Sequence, residues 1–195
     1  MKKGIIITIA TVVVIALAAA GVFVVASSGL FHKEAKGLIL YGNQEQLKGD
    51  KDMEAANTEY SYETKVKLVD EELMIIREKD MQEFYAHKML NQIDDQNQCK
   101  LVSKLESGTE TPVYYGKEAK TSLNIGGKEQ KVTAAGDVII GSGRMFEDGY
   151  LVVSDSLYEE LQGTETGMLV LKLNKAADKE ISRCQFDQVQ LIEIS

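Results

Sequence analysis

Tyr60-Ser61-Tyr62-Glu63-Thr64-Lys65-Val66-Lys67-Leu68 alternates between side chains that prefer a core and side chains that prefer water. A two-residue period puts Tyr60, Tyr62, Thr64, Val66 and Leu68 on one face of a strand and Ser61, Glu63, Lys65 and Lys67 on the other. A strand with one buried face needs a sheet around it and a layer packed on it. From Glu78 the period changes: Met81, Phe84, Tyr85, Met89 and Ile93 recur at helical spacing. Asp80 stands early and Lys88 late, as the helix dipole favours, and Asp94–Asn97 are expected to end the helix. Two periods in succession predict a mixed α+β fold.

On the N-terminal side, Gly37–Tyr41 reads as a short strand and Gly42–Asn57 as a polar loop. On the C-terminal side the chain is strand-rich. Gln98–Leu105, Pro112–Tyr115, Asp137–Ile140, Tyr150–Val153, Gly167–Leu173 and Gln188–Ile194 are expected strands. Leu123–Ile125 and Lys128–Thr133 form a hairpin around Gly126-Gly127, since tight hairpin turns need positive φ. Ser154, Asp155 and Ser156 offer helix caps, and Ser156 with Glu159 makes a capping box. The short helix that follows carries Leu157 and Leu161 and stops at Gly163. Lys175–Ile181 is expected to form another short helix.

Between Gly4 and His32 the chain has no Lys, Arg, Asp or Glu. The run Ile5–Ala26, roughly 22 residues, would rise about 33 Å as a helix, enough to cross a hydrocarbon layer of about 30 Å. The sequence therefore predicts a cytoplasmic stub at 1–3 and a transmembrane helix serving as signal anchor at 4–30. A juxtamembrane strand and linker follow at 31–57, and an extracytoplasmic α+β domain at 58–195. Lys2 and Lys3 before the run orient the N-terminus inward. A cleavable signal peptide is the competing reading, with Val24 and Ala26 at peptidase spacing before Ser27, but its apolar region normally runs only about 7–15 residues. Either way the domain is exported. No cysteine stands near the end of the run, so the sequence reading excludes a lipoprotein anchor.

The net charge is −8, and the exported part is more acidic still once Lys2 and Lys3 are set aside. That balance argues against nucleic acid and against docking on anionic headgroups through bulk charge; it tolerates cationic partners such as basic peptides, and it reads first as charge that keeps an exported domain soluble. A single Pro and no Trp exclude a Pro-rich stalk. The two cysteines, Cys99 and Cys184, would lie in an oxidising compartment. A bridge between them would close a long loop and contribute several kcal/mol; two separate buried thiols fit the sequence equally.

The chemistry of common enzymes is hard to assemble from these residues. The two histidines are His32, at the membrane boundary, and His87, on the amphipathic helix. A nucleophilic site would have to use His87, whose neighbours Ala86 and Lys88 give no support. Two Cys and two His at these separations do not form a zinc pattern. Asp95, Asn97 and Glu106 fall on positions 1, 3 and 12 of a calcium loop, but Lys100 stands where the sharp turn needs Gly. Gly141-Ser142-Gly143 follows a strand, yet Arg144-Met145-Phe146 supplies neither a third glycine nor a helix start, so a turn is expected. The adjacent carboxylates Glu71-Glu72, Asp94-Asp95 and Glu159-Glu160 point apart and read as solvated faces. The expectation is no catalytic residue, no cofactor and no metal.

The stretch Ser122–Asn174 adds a resemblance. It orders a hairpin around Ile125-Gly126-Gly127-Lys128, a strand into Gly136-Asp137-Val138 and a glycine loop. Then come Gly149-Tyr150-Leu151-Val152-Val153-Ser154-Asp155-Ser156-Leu157-Tyr158-Glu159-Glu160-Leu161 and the strand Met168–Leu173. With the preceding apolar run, this resembles the extracytoplasmic domain of FtsX-like (MacB-like) ABC transporter permeases of the bacitracin- and peptide-resistance type in Gram-positive envelopes. The resemblance implies a non-enzymatic, membrane-anchored domain that binds protein or peptide beside an ABC transporter or sensor component. It carries over no binding residue, because the matching positions are caps, turns and core leucines. The competing functions are an exported envelope hydrolase, with His87 as its best candidate, and an anchored structural surface protein.

Overall fold

The protein is described here from a computed structural model, which covers residues 12–17, 22–27, 36–49, 58–70, 72–108, 110–141, 143, 145, 149–174 and 186–192. The alternating stretch of the sequence is the middle of a long strand, β4 (Thr58–Val69), in a ten-stranded mixed sheet. The other members are β1 (Val12–Leu17), β2 (Val22–Ser27), β3 (Gly37–Gly42), β5 (Leu73–Arg77), β8 (Val113–Tyr115), β11 (Thr133–Ala134), β13 (Gly149–Val153), β14 (Thr164–Leu173) and β15 (Gln188–Ile192). Their order across the sheet is β1-β2-β15-β3-β14-β4-β5-β13-β8-β11. β6 (Leu90–Ile93), β7 (Cys99–Leu101) and β12 (Val138–Ile140) form a separate three-stranded sheet. β9 (Ser122–Ile125) and β10 (Lys128–Lys131) form a hairpin. Among the described residues there are three short helices: α1 (Gln44–Gly49), α2 (Glu78–Ala86) and α3 (Asp155–Glu160).

The central strands are apolar on both faces because both faces are covered. β3, β5 and β13 send alternate side chains to opposite layers. Ile39, Met74, Ile76, Tyr150, Val152, Met168 and Val170 pack under α2, through Met81 and Phe84, and under Leu90, Val138 and Ile140 of the small sheet. Tyr60, Tyr62, Val66 and Leu68 point to this same layer, as the alternation predicts. The other face divides. Leu38, Leu40, Leu169 and Leu171 pack with Leu47 of α1 and with Phe186. Leu73, Ile75, Leu151 and Val153 pack with Tyr158 of α3 and with Leu123 and Ile125 of the hairpin. Between those two clusters Ser61, Glu63 and Lys65 of β4 stay exposed and form a solvent lane, whereas Lys67 on the same face is buried.

Several boundaries differ from the sequence expectation, each for a local reason. The helix expected to reach Asp94 stops at Ala86. Lys88 adopts φ 57°, its N–H reaches the Tyr85 carbonyl (3.0 Å), and the Met89 N–H reaches back to the Phe84 carbonyl (2.9 Å). That is the Schellman closure, made here without glycine, and it frees Leu90–Ile93 to become β6. The polar stretch after Gly42 contains α1, because Asn43 caps it: its Oδ1 accepts from the N–H groups of Glu45 and Gln46, both at 3.0 Å. At α3 the cap is Ser154, whose Oγ accepts from the Leu157 N–H (3.3 Å), and Glu159 is drawn away to Arg77 rather than closing a box with Ser156. The Gly126-Gly127 hairpin is as expected, with φ 58° and 79°.

β3, expected as a juxtamembrane strand, lies inside the sheet between β15 and β14 and is buried throughout. Much of the helix expected over 4–30 falls outside the described residues. The part described is extended: β1 and β2 pair antiparallel, with Val12 opposite Ser27 and Leu17 opposite Val22. Their β-branched valines suit a strand as readily as an apolar helix. Among the described residues no helix is long and apolar enough to cross a membrane. The short helix expected at Lys175–Ile181 lies outside the described residues.

Candidate functional site

A cavity of about 330 Å³ opens where the large sheet passes its chain to the small one. Three segments build it. β6 runs into a turn at Asp94, whose Oδ1 accepts from the N–H groups of Gln96 (3.0 Å) and Gln98 (2.9 Å). Its Oδ2 takes Lys100 at 2.7 Å. β8 runs into Gly116–Ala119, and β11 into Ala135–Asp137. The Gly116 N–H donates to the Gly136 carbonyl (3.0 Å) and the Ile93 N–H to the Asp137 carbonyl (2.8 Å), which ties the three segments together. The lining holds four carboxylates, Asp94, Asp95, Glu118 and Asp137, against one lysine, Lys117. Asp94 is committed to its own turn: the Lys100 ammonium and then the Gln98 and Gln96 amides hold its carboxyl below the usual range. Asp95 is exposed, as a solvated face requires; what the sequence does not mark is the return of Gly136-Asp137 alongside, a long-range pairing.

The histidine considered for catalysis belongs elsewhere. His87 caps the end of α2, stacks on Tyr60 with ring centroids 3.7 Å apart, and brings Nε2 to 3.2 Å from Glu83. The Tyr60 hydroxyl donates to Glu83 (2.7 Å) and the Tyr62 hydroxyl to Asp80 (2.6 Å). Burial first, and then these bonds, push both tyrosine hydroxyls well above the ordinary value. Asp80 is 1% exposed, and its Oδ2 has no partner among the described residues. These contacts join β4 to α2 and leave His87 beside a carboxylate and a phenol, with no nucleophile among the contacts described. His32 lies outside the described residues.

The other sequence candidates also find structural places. The Gly141 and Gly143 carbonyls accept from Asn91 Nδ2 (2.6 Å) and Gln190 Nε2 (3.0 Å), so this glycine loop turns acceptors to the protein instead of offering N–H groups to a phosphate. In the calcium register, Glu106 pairs with Lys104 at 2.8 Å. Among the described residues no group of three metal-ligating side chains converges. Glu159 meets Arg77 at 2.9 Å, and the Arg77 guanidinium lies 3.5 Å from the Tyr158 ring centroid. Cys99 is exposed on β7; Cys184 lies outside the described residues, so their pairing is not described.

With the geometry in hand, the chain can be set beside known proteins. A 1.5 Å crystal structure of a lipoprotein candidate from Bacillus anthracis superposes with a TM-score of 0.70 at 20% identity. The match covers 83% of this chain and all of that one, and at this identity it speaks for the fold alone. No curated protein matches. An uncharacterised lipoprotein family matches residues 35–195. This corrects the resemblance to FtsX-like and MacB-like permease ectodomains. β13, the capped α3 and β14 do follow one another as that resemblance required, but caps, turn glycines and core leucines are what any strand-helix-strand unit needs. Lipoproteins are membrane-anchored with the folded part outside the cytoplasm, and by a match spanning most of its length the chain belongs to this uncharacterised lipoprotein family.

Proposed function

We propose that this is an envelope protein that works by binding rather than by catalysis, with the groove at β6, β8 and β11 as its recognition site for a cationic segment such as a basic peptide. The observation that carries the reading is the groove's charge: Asp95, Glu118 and Asp137 against Lys117, with Asp94 already paired to Lys100, around a cavity of about 330 Å³ in a chain of net charge −8. Like charges gathered in a concave site focus potential on an oppositely charged ligand and raise its rate of encounter.

The anchor in this reading is the apolar run itself. In hydrocarbon a helix satisfies its own backbone groups, whereas an open hairpin leaves its edges unmet. The run is therefore read as a spanning helix once inserted.

Calorimetric titration of the full-length protein in nanodiscs with an oligolysine peptide tests the site. Asp95→Asn combined with Glu118→Gln should weaken binding roughly tenfold, about 1.4 kcal/mol, and raising the salt should weaken the parent in the same direction. Equal affinity in parent and variant would remove the groove as the site.

A further inference from the structure

Lys100 reaches the groove from a strand that does not line it. β7 pairs antiparallel with β6, with Gln92 opposite Lys100 and Ile93 opposite Cys99. Residues directly paired in neighbouring strands present their side chains on one face of the sheet. Gln92 lines the groove, so Lys100 stands on the groove face of the small sheet. Its ammonium extends back along that face to Asp94 Oδ2, at 2.7 Å.

The two oxygens of Asp94 are used differently. Oδ1 accepts from the Gln96 and Gln98 N–H groups and shapes the turn. Those bonds orient the carboxylate and leave its second oxygen to a cation. The cation that holds it is a lysine of the chain itself. This pair is open to water, with 67% of the Lys100 side chain and 31% of the Asp94 side chain exposed. An ion pair so exposed is weak and exchanges readily with another cation.

We infer that Lys100 is an internal competitor of the groove: its ammonium holds Asp94 Oδ2 in the place that a ligand's ammonium takes, and a bound cationic segment displaces it. This rests on the reading of the groove as a site for a basic peptide. A tethered ammonium has a high effective concentration at its partner, so it lowers the affinity for free cations without closing the cavity. At Asp94 the exchange is even, one ion pair for another, with the Lys100 ammonium released to water. The net attraction then comes from Asp95, Glu118 and Asp137.

The test titrates the full-length protein in nanodiscs with oligolysine at fixed ionic strength. Lys100→Met keeps the alkyl stem, removes the competitor and should tighten binding about three- to fivefold. Lys104→Met makes the same change in net charge, but Lys104 pairs with Glu106 and neither residue lines the groove. Its effect is confined to screened charge and should stay below about 1.5-fold. Lys100→Arg, which keeps the cation, should bind as the parent does. Adding Asp94→Asn to Lys100→Met should return the affinity to that of the parent, while the new amide oxygen still accepts the two turn N–H groups. A gain from Lys100→Met no larger than that from Lys104→Met, or one that survives Asp94→Asn, overturns the inference and leaves the groove reading in place. A parent that does not bind oligolysine, or binds it equally after Asp95→Asn with Glu118→Gln, defeats the groove reading and this inference with it.

Discussion

Replacing Tyr62 by Phe should destabilise the domain far more than the same change at Tyr60, although the two tyrosines stand one turn of the alternation apart and both donate to carboxylates of α2. Tyr62 reaches Asp80 at 2.6 Å, and Asp80 is 1% exposed with its second oxygen unpartnered among the described residues. Removing the hydroxyl leaves the buried carboxylate without its described donor. A hydrogen bond to a charged group contributes about 1.5–3 kcal/mol, and a buried group left unpaired loses its full solvation. Tyr60 donates at 2.7 Å to Glu83, whose side chain is 36% exposed and takes water in exchange, so Tyr60→Phe should cost about 0.5–1 kcal/mol. Urea unfolding of the parent, both single variants, Asp80→Ala and the Tyr62→Phe/Asp80→Ala pair would measure this. The double variant should lose less than the sum of its singles, by about 1 kcal/mol or more. A Tyr62→Phe cost within about 0.5 kcal/mol of zero, the range of an ordinary surface change, would refute the reasoning.

Lys67, 9% exposed, donates to the Tyr158 carbonyl (2.6 Å) and the Leu161 carbonyl (2.9 Å) at the end of α3; Lys67→Met keeps the stem but orphans both carbonyls, and thermal unfolding should show a loss of about 1–3 kcal/mol. A Cβ at Gly149, where φ is 96°, would fall on the Tyr115 carbonyl oxygen, so Gly149→Ala should cost about 2–4 kcal/mol, read as a lowered urea midpoint. Asp94, through Lys100, and Glu165, through Lys65, hold carboxyls below their ordinary values, so their stabilisation is present above about pH 4 and is lost as pH falls through the lowered folded values. Tyr60, Tyr62 and Tyr158, the last pushed up to about 12 chiefly by burial, give the opposite sign: their contribution is present below about pH 10 and declines above it. Urea midpoints across pH, with tyrosinate absorbance at the alkaline end, check both limbs.

The α+β class and most strands were legible because they depend on period, which is local. The Tyr60–Leu68 alternation placed β4 and the correct face inward. What the period could not show was which residues of the outward face would be covered. Lys67 reads as solvated by alternation, yet it is buried because α3 ends over it, an encounter between residues far apart in the chain. The early stop of α2 was hidden for another reason. Sequence reading looks for glycine at a left-handed cap, and here Lys88 takes that conformation. The candidate groove was not legible at all. Its carboxylates come from three segments, brought together by long-range pairing: β11 with β8, β12 with β6, and the Gly116–Gly136 and Ile93–Asp137 backbone bonds. His87 shows the converse: a residue type that signals chemistry in sequence is accounted for by stacking on Tyr60 and pairing with Glu83.

The groove lies away from the strand by which the chain enters the domain, and the sheet order says how far. From β3 to β8 there are five strand spacings of about 4.8 Å, roughly 24 Å along the sheet before twist. β3 is the first strand after the apolar run and carries β15 beside it, so whatever fixes the N-terminus to the membrane acts on the β15 side. The groove is held on the far side, tied to β8 and β11 and away from the attachment. A lipid on a leading cysteine and a spanning helix would tether β3 in the same way, because either one enters the fold through residues just before Gly37.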